Sequence, residues 1–170
     1  MKPLIALGIS IAVLAGAATW LSLTCGLQVW ALFLAWASFF HCGGDVSALK
    51  NSTINNLFGA IVGWIAALLI LQVPLLTLVP RASIVVAITV LVLVLAAHIK
   101  ALSVIPSGFY GYAAVFGYVL QAKDAFTPGA LLAPNMTNGL IAIAVAMIAG
   151  NIFGLASAKL SAAMQPAKAA

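Results

Sequence analysis

The stretch from residue 4 to residue 23, LIALGISIAVLAGAATWLSL, carries no charged side chain. A helix needs about 20 apolar residues to cross a hydrocarbon core about 30 Å thick, so this stretch predicts a membrane-spanning helix. A secretory signal is the alternative, because Lys2 precedes the apolar run and the small residues Ala15, Gly16 and Ala17 resemble a cleavage site. The run continues to Leu23, beyond a typical signal core, which favours a helix that is retained.

The composition of the whole chain has the same character. Of its 170 residues, 65% are hydrophobic and 5% are charged, and the mean hydropathy is +1.25. A soluble domain carries roughly a quarter charged residues, so an ordinary soluble enzyme is excluded. The net charge of +5 comes from scattered single basic residues, which excludes a nucleic-acid binder. With no Glu and only two Asp, we expect no enzymatic activity, no cofactor and no metal.

Five further apolar runs follow the first one along the chain. They cover Leu27–Cys42, Ile54–Val73, Ser83–Ile99, Val104–Gln121 and Leu140–Ala158. The pattern predicts an all-α integral membrane protein with six transmembrane helices in a single membrane domain, followed by a short polar tail over residues 159–170. The second and fifth runs look short for a membrane span.

Basic residues near the helix ends predict the orientation in the membrane. With the N-terminus inside, only Arg81 and Lys123 fall outside. The other five basic residues then lie on the cytoplasmic side: Lys2, Lys50, Lys100, Lys159 and Lys168. We therefore predict that the N-terminus and the C-terminus are both cytoplasmic.

Two segments of the chain resemble each other: residues 33–40, FLAWASFF, and residues 109–116, FYGYAAVF. Asn51-Ser52-Thr53 similarly resembles Asn135-Met136-Thr137. These similarities predict two repeats of three helices each, over about residues 4–73 and 83–158. Because three is odd, the second repeat enters the membrane from the opposite face, which gives inverted-topology repeats. The alternative is six unrelated helices of similar composition.

Small residues recur at four-residue spacing in the first, third and sixth apolar runs. The series are Gly8, Ala12 and Gly16, then Gly59 and Gly63, then Gly150 and Gly154. Such spacing allows close contact between membrane helices, either within one bundle or between protomers of a homo-oligomer.

Short or glycine-interrupted segments at corresponding positions of two repeats indicate a transport pathway, and here they are the second and fifth runs. Polar residues at the start of the third helix of each repeat are candidates to line it, with N-capping as the alternative: Asn51, Asn55, Asn56, Asn135, Thr137 and Asn138. We predict that seven residues border one central cavity or its mouths: Phe39, His41, Asp45, Asn51, Tyr110, Tyr112 and Asn135.

His41, Cys42 and Asp45 form the one local cluster of groups suited to metal binding or acid/base chemistry. Typical zinc sites need three or four ligands at better-defined spacing, so we expect no metal here. Pairing of His41 with Asp45 across the Gly43-Gly44 turn is the favoured interpretation. An intramembrane enzyme that uses His41 and Cys42 is a distant alternative.

Residues 36–45, WASFFHCGGD, followed by Ala48-Leu49-Lys50, and residues 104–113, VIPSGFYGYA, carry a resemblance. They resemble domain-of-unknown-function family 1097, the YcdZ-like small bacterial inner-membrane proteins, over nearly the whole chain. The resemblance implies a multi-pass protein of the bacterial inner membrane and supplies no activity.

The arrangement of the runs favours a channel or transporter for a small neutral or weakly charged polar solute. The scarcity of charge inside the membrane argues against a relay of protonated carboxylates. The alternative is a non-transporting helical subunit or scaffold of a larger complex. The expected partners are the lipid bilayer and a small-molecule solute.

Overall fold

A computed structural model describes residues 1–74 and 76–166 of the chain. In this part the chain is all-helical, without β-strands. Its α-helices are α1 (Pro3–Cys25), α2 (Val29–His41), α3 (Val46–Gln72), α4 (Leu78–Leu95), α5 (Ile105–Gln121), α6 (Pro128–Leu131) and α7 (Gly139–Ala163). Two 3-10 turns, Ala96–His98 and Lys100–Leu102, connect α4 to α5.

Each of the six predicted apolar runs is found in a helix. Four of these helices are long and apolar enough to cross a membrane: α1, α3, α7, and α4 together with the first 3-10 turn. The helices α2 and α5 have 13 and 17 residues. At about 1.5 Å per residue they reach about 20 and 26 Å, less than a hydrocarbon core of about 30 Å. The predicted shortness of the second and fifth segments is therefore confirmed.

The third helix begins at Val46, eight residues before the predicted start at Ile54. Gly43 and Gly44 make the preceding turn with φ of 112° and 73°, a backbone conformation that side chains with a Cβ rarely adopt. Asp45 then starts the helix, because its Oδ1 accepts a hydrogen bond from the Ala48 backbone N–H at 2.7 Å. Polar residues in the first turns lower the hydropathy without breaking the helix.

The C-terminal boundary also differs from the prediction. Helix α7 continues to Ala163, so residues 159–163 are helical and do not belong to a polar tail. Residues 167–170, including Lys168, lie outside the described residues.

The helices can be divided into two groups of three around the two closest pairs, α3 with α5 and α2 with α7. Helix α3 lies along α5 and also contacts α4, whereas α2 lies along α7, which also contacts α1. We call these groups the α3–α4–α5 bundle and the α1–α2–α7 bundle. They meet where α3 contacts α7 and α2, and where α5 contacts α2 and α7. Each bundle combines helices from both halves of the chain.

Glycines bring two helix pairs into direct backbone contact. A Cβ placed on Gly59 of α3 would lie 1.8 Å from the carbonyl oxygen of Gly108 in α5. A Cβ placed on Gly150 of α7 would lie 2.0 Å from the carbonyl oxygen of Leu32 in α2. Close packing at these two glycine series is thus confirmed. In α1 the described chain makes no such contact, because a Cβ placed on Gly8 or Gly16 would have no atom within 4 Å, and contact between protomers at this series stays a prediction.

Candidate functional site

Hydroxyl and amide groups gather in the interior where α2, α3, α5 and α7 meet. All five residues are 0% exposed, and we call them the buried polar cluster: Ser38 of α2, Ser52 and Asn56 of α3, Ser107 of α5, and Asn151 of α7. Groups of this kind are costly to bury unless they are hydrogen-bonded, so their concentration at one point needs an explanation.

The serines connect the cluster. Ser52 Oγ lies 2.6 Å from Asn151 Oδ1 and 2.7 Å from Ser38 Oγ. Ser38 Oγ in turn lies 2.8 Å from both Asn56 Oδ1 and Ser107 Oγ. At the edge of the cluster, the Cys42 thiol is 3.4 Å from Ser107 Oγ. Since each hydroxyl carries a single proton, each serine donates to only one of these acceptors at a time.

The two amide nitrogens of the cluster are in different situations. Asn151 Nδ2 donates to the carbonyl oxygen of Met147 at 3.1 Å. Asn56 Nδ2 is buried and has no hydrogen-bond partner in the described part of the chain. Leaving such a donor unpaired in the interior costs about 1–3 kcal/mol. Asn56 therefore offers a free N–H donor to any acceptor that enters the cluster.

A polar cleft of about 420 Å³ lies beside α3 at the end of the molecule where this helix begins. Its other wall is the second 3-10 turn and the start of α5. Asn55 holds these walls together, because its Nδ2 donates to the Ala101 carbonyl at 3.1 Å and its Oδ1 accepts from the Val104 N–H at 3.2 Å. The lining residues are Lys50, Asn51, Ile54, Asn55, Lys100, Ala101, Ser103 and Val104.

Three of the predicted site residues are aromatic or imidazole side chains near the junction of α2 and α5. The rings of His41 and Tyr110 meet edge-on with centroids 6.5 Å apart, so the structure brings these two together. Phe39 is fully buried against α7, where its ring fills the space beside Gly154. Phe39 is thus a packing residue between α2 and α7.

The other predicted residues are placed by different contacts. Tyr112 is buried, and its hydroxyl lies 2.9 Å from Thr89 Oγ1 of α4. Asn51 lines the polar cleft. Asn135 is exposed in the loop before α7, where its Oδ1 accepts from the Thr137 N–H at 2.9 Å. That all seven residues border one cavity stays a prediction.

Asp45 has a structural partner other than the predicted His41. Its carboxylate accepts hydrogen bonds from the Ala48 N–H and the Ser47 hydroxyl, and these bonds lower the pKa of Asp45 below its ordinary value. The predicted position of the asparagines at helix starts holds for Asn138, whose Oδ1 accepts from the Leu140 N–H at 2.9 Å. It is wrong for residues 51, 55 and 56, which lie inside α3.

Sequence reasoning missed four members of the buried polar cluster as site residues: Ser38, Ser52, Ser107 and Asn151. One signal was available, because Asn151 is the one amide within the apolar run 140–158. An amide in the middle of a spanning segment commonly hydrogen-bonds to a neighbouring helix, so Asn151 indicated a polar contact inside the bundle.

The chemistry of the cluster is that of neutral hydrogen bonding. Its members are hydroxyls and amides, which do not ionise near neutral pH. Among the described residues, no group of three His, Cys, Asp or Glu side chains is placed to hold a metal ion.

Fold and site together define an all-helical membrane protein whose interior carries a neutral polar cluster. The chain belongs to the family described as "Protein of unknown function (DUF1097)", whose model matches residues 8–162. This confirms the resemblance of the two sequence motifs. No curated protein matches the chain, and no solved structure matches it.

Proposed function

We propose that the chain is a transporter for a small neutral polar solute, which binds at the buried polar cluster. The observation that carries this proposal is the unpaired Asn56 Nδ2 within a hydrogen-bonded network shared by four helices. A carbonyl or hydroxyl oxygen of the solute supplies the missing acceptor. The neutral character of the five cluster residues favours an uncharged solute over an ion.

The membrane arrangement belongs to the same proposal. All helices except α6 cross the membrane, and α2 and α5 are the short spans. The groups α1–α2–α3 and α4–α5–α7 form inverted repeats. The helix contacts support this: α3 against α5 corresponds to α7 against α2, and α1 against α7 corresponds to α4 against α3. In the same correspondence, the Gly59 contact with Gly108 matches the Gly150 contact with Leu32.

This correspondence also identifies the residue at the position equivalent to each member of the buried polar cluster in the other repeat. Aligning residues 33–40 with 109–116, and Gly59 with Gly150, pairs each cluster member with an apolar residue. The counterparts of Ser38, Ser107, Ser52, Asn56 and Asn151 are Ala114, Ala31, Ile143, Met147 and Ala60, all fully buried in one hydrophobic core. The same helix interface therefore packs without polar groups, which supports a role in solute binding for the cluster.

The hydrogen bonds of the cluster cross from one bundle to the other. Ser38 and Asn151 belong to the α1–α2–α7 bundle, whereas Ser52, Asn56 and Ser107 belong to the α3–α4–α5 bundle. Within each bundle the glycine contacts hold backbones together, so relative motion of the two bundles is the way to open the cluster. We therefore propose a carrier that rocks one bundle against the other around the bound solute. The moving units are these bundles, each of which contains helices of both repeats.

The buried polar cluster lies nearer to one end of the molecule than to the other. The cluster lies toward the end where α2 finishes and α3 and α5 begin, and the hydrophobic core fills the opposite end. With both termini in the cytoplasm of a bacterial cell, as the basic residues predict, this end faces the cytoplasm.

Flux into proteoliposomes tests the proposal, with small amides, amines and amino acids as the screened solutes. Asn56→Leu keeps the side-chain volume similar and removes the free donor together with Oδ1, which accepts from the Ser38 and Ser52 hydroxyls. It should reduce the affinity for the transported solute about 3- to 10-fold, the contribution of one hydrogen bond. Ser83→Ala, at an exposed position of α4 where the hydroxyl bonds to its own helix, is the control and should transport like the wild type.

Two results contradict the proposal. Flux of every screened solute at the level of protein-free vesicles argues against transport, and it favours the alternative of a helical subunit in a larger complex. Wild-type affinity in Asn56→Leu places the binding site elsewhere.

A further inference from the structure

The lining of the polar cleft beside α3 carries positive charge. Its described lining contains Lys50 and Lys100, both exposed, and no carboxylate. The chain has two carboxylate side chains in total. Asp45 accepts hydrogen bonds from its own helix start, and Asp124 follows α5 at the opposite end of the molecule. The two ammonium groups therefore attract an anion to this cleft.

An apolar groove of about 900 Å³ adjoins the cleft. It lies between α3 and α7, and its walls include Ile54 of α3 and Ile148 and Ile152 of α7. Lys50 and Ile54 line both the groove and the cleft. The groove thus extends from the two lysines along the helices, and it offers hydrocarbon surface next to a pair of cations.

We propose that the cleft and the groove together bind one anionic phospholipid. The phosphate lies between Lys50 and Lys100, and an acyl chain lies in the groove against Ile54, Ile148 and Ile152. Asn51 and Ser103 of the cleft add hydrogen-bonding groups for the headgroup. Basic pockets between helices at one membrane surface recognise anionic headgroups by this combination of charge and depth.

The lining favours an anionic lipid over two simpler occupants. A free inorganic anion would use the lysines and leave the groove without a function. A zwitterionic lipid would bring a cationic headgroup next to two lysines in a cleft whose lining holds no carboxylate. Because α3 and α7 belong to different bundles, the bound lipid contacts both.

Lipid titration of the purified full-length chain in detergent tests this proposal, with binding followed by native mass spectrometry and by the thermal midpoint. Phosphatidylglycerol is compared with phosphatidylcholine of the same acyl chains. Lys50→Gln and Lys100→Gln should each weaken phosphatidylglycerol binding about fivefold, the contribution of one lysine near a membrane surface. Phosphatidylcholine should bind weakly to all variants.

The control is Lys159→Gln, which removes an exposed lysine of α7 at the same end of the molecule but outside the cleft. It should bind phosphatidylglycerol like the wild type. Ile152→Trp partly fills the groove and should weaken phosphatidylglycerol binding while leaving the lysines intact. Inorganic phosphate at the lipid concentration should not shift the thermal midpoint.

The proposal is overturned if Lys159→Gln weakens binding as much as the cleft variants, because the attraction is then a general effect of net charge. It is equally overturned if inorganic phosphate reproduces the stabilisation or Ile152→Trp leaves it unchanged, since the groove is then not part of the site.

Discussion

The Gly59→Ala substitution tests the helix contact on which the whole arrangement depends. The added Cβ would lie 1.8 Å from the Gly108 carbonyl oxygen, whereas Cβ atoms essentially never approach a heavy atom closer than 3.0 Å. Helices α3 and α5 must therefore separate locally by about 1.2 Å, the difference between these two distances. Because the obstacle is backbone, no side-chain rotation relieves it. We expect a loss of about 3 kcal/mol in the free energy of unfolding, at the upper end for overpacked interiors.

Gly8→Ala is the matched control, because it adds the same methyl group to a membrane helix where no atom lies within 4 Å. It should leave the free energy of unfolding unchanged or raise it by at most about 1 kcal/mol, the helix preference of Ala over Gly. Equilibrium unfolding of both variants in mixed micelles measures the difference. If the two variants have the same free energy of unfolding, the close contact of α3 with α5 is refuted.

Two further predictions concern the helix start and the orientation. Asp45→Ala should lower the thermal midpoint and Asp45→Asn should not, since asparagine also caps helices. The lowered pKa of Asp45 means that its carboxylate stabilises the fold above pH 3.8, and that this contribution is lost only as the pH falls further through the folded-state pKa. A pH series of thermal midpoints for wild type and Asp45→Asn checks this, and a loss that begins above pH 5 contradicts it. A tag after residue 170 should be protected from periplasmic protease, and cleavage there from the periplasm would reverse the orientation.

Hydropathy located the helices because each one presents a long apolar surface, but it misplaced the start of α3. The polar residues before Ile54 lower the hydropathy of that segment, although Ser52 among them is buried. A hydropathy window does not distinguish a polar residue in water from one inside a network. The boundary is set by the Gly43-Gly44 turn and the Asp45 cap, which a hydropathy average does not represent.

The two internal similarities lie in different structural settings. The segments 33–40 and 109–116 follow immediately after Leu32 and Gly108, whose carbonyl oxygens touch Gly150 and Gly59. The Asn-x-Thr similarity has no such structural parallel, because Asn51 lies within α3 and Asn135 lies in a loop. The inverted repeats themselves stay a prediction.

The candidate site was harder to predict for a physical reason. A serine in a membrane helix commonly bonds to its own backbone, as Ser83 Oγ does with the Val79 carbonyl at 2.9 Å. From the sequence, Ser38 and Ser83 look alike. Ser38 has hydrogen-bond partners on α3 and α5 because four helices meet at this point. The ionisable residues His41 and Asp45 were predicted as site residues, but both are exposed at a helix end.

Labelling of a single cysteine at position 56 tests the central claim most directly. In a chain with Cys25→Ser and Cys42→Ser, Asn56→Cys is exposed to a membrane-impermeant thiol reagent from each side of oriented vesicles. Asn51→Cys, on the same helix but exposed, shows that the reagent reaches its own side. A rocking carrier predicts that position 56 is labelled from both sides and that a transported solute slows the reaction. No labelling from either side, with Asn51→Cys labelled, would contradict a solute site at the buried polar cluster.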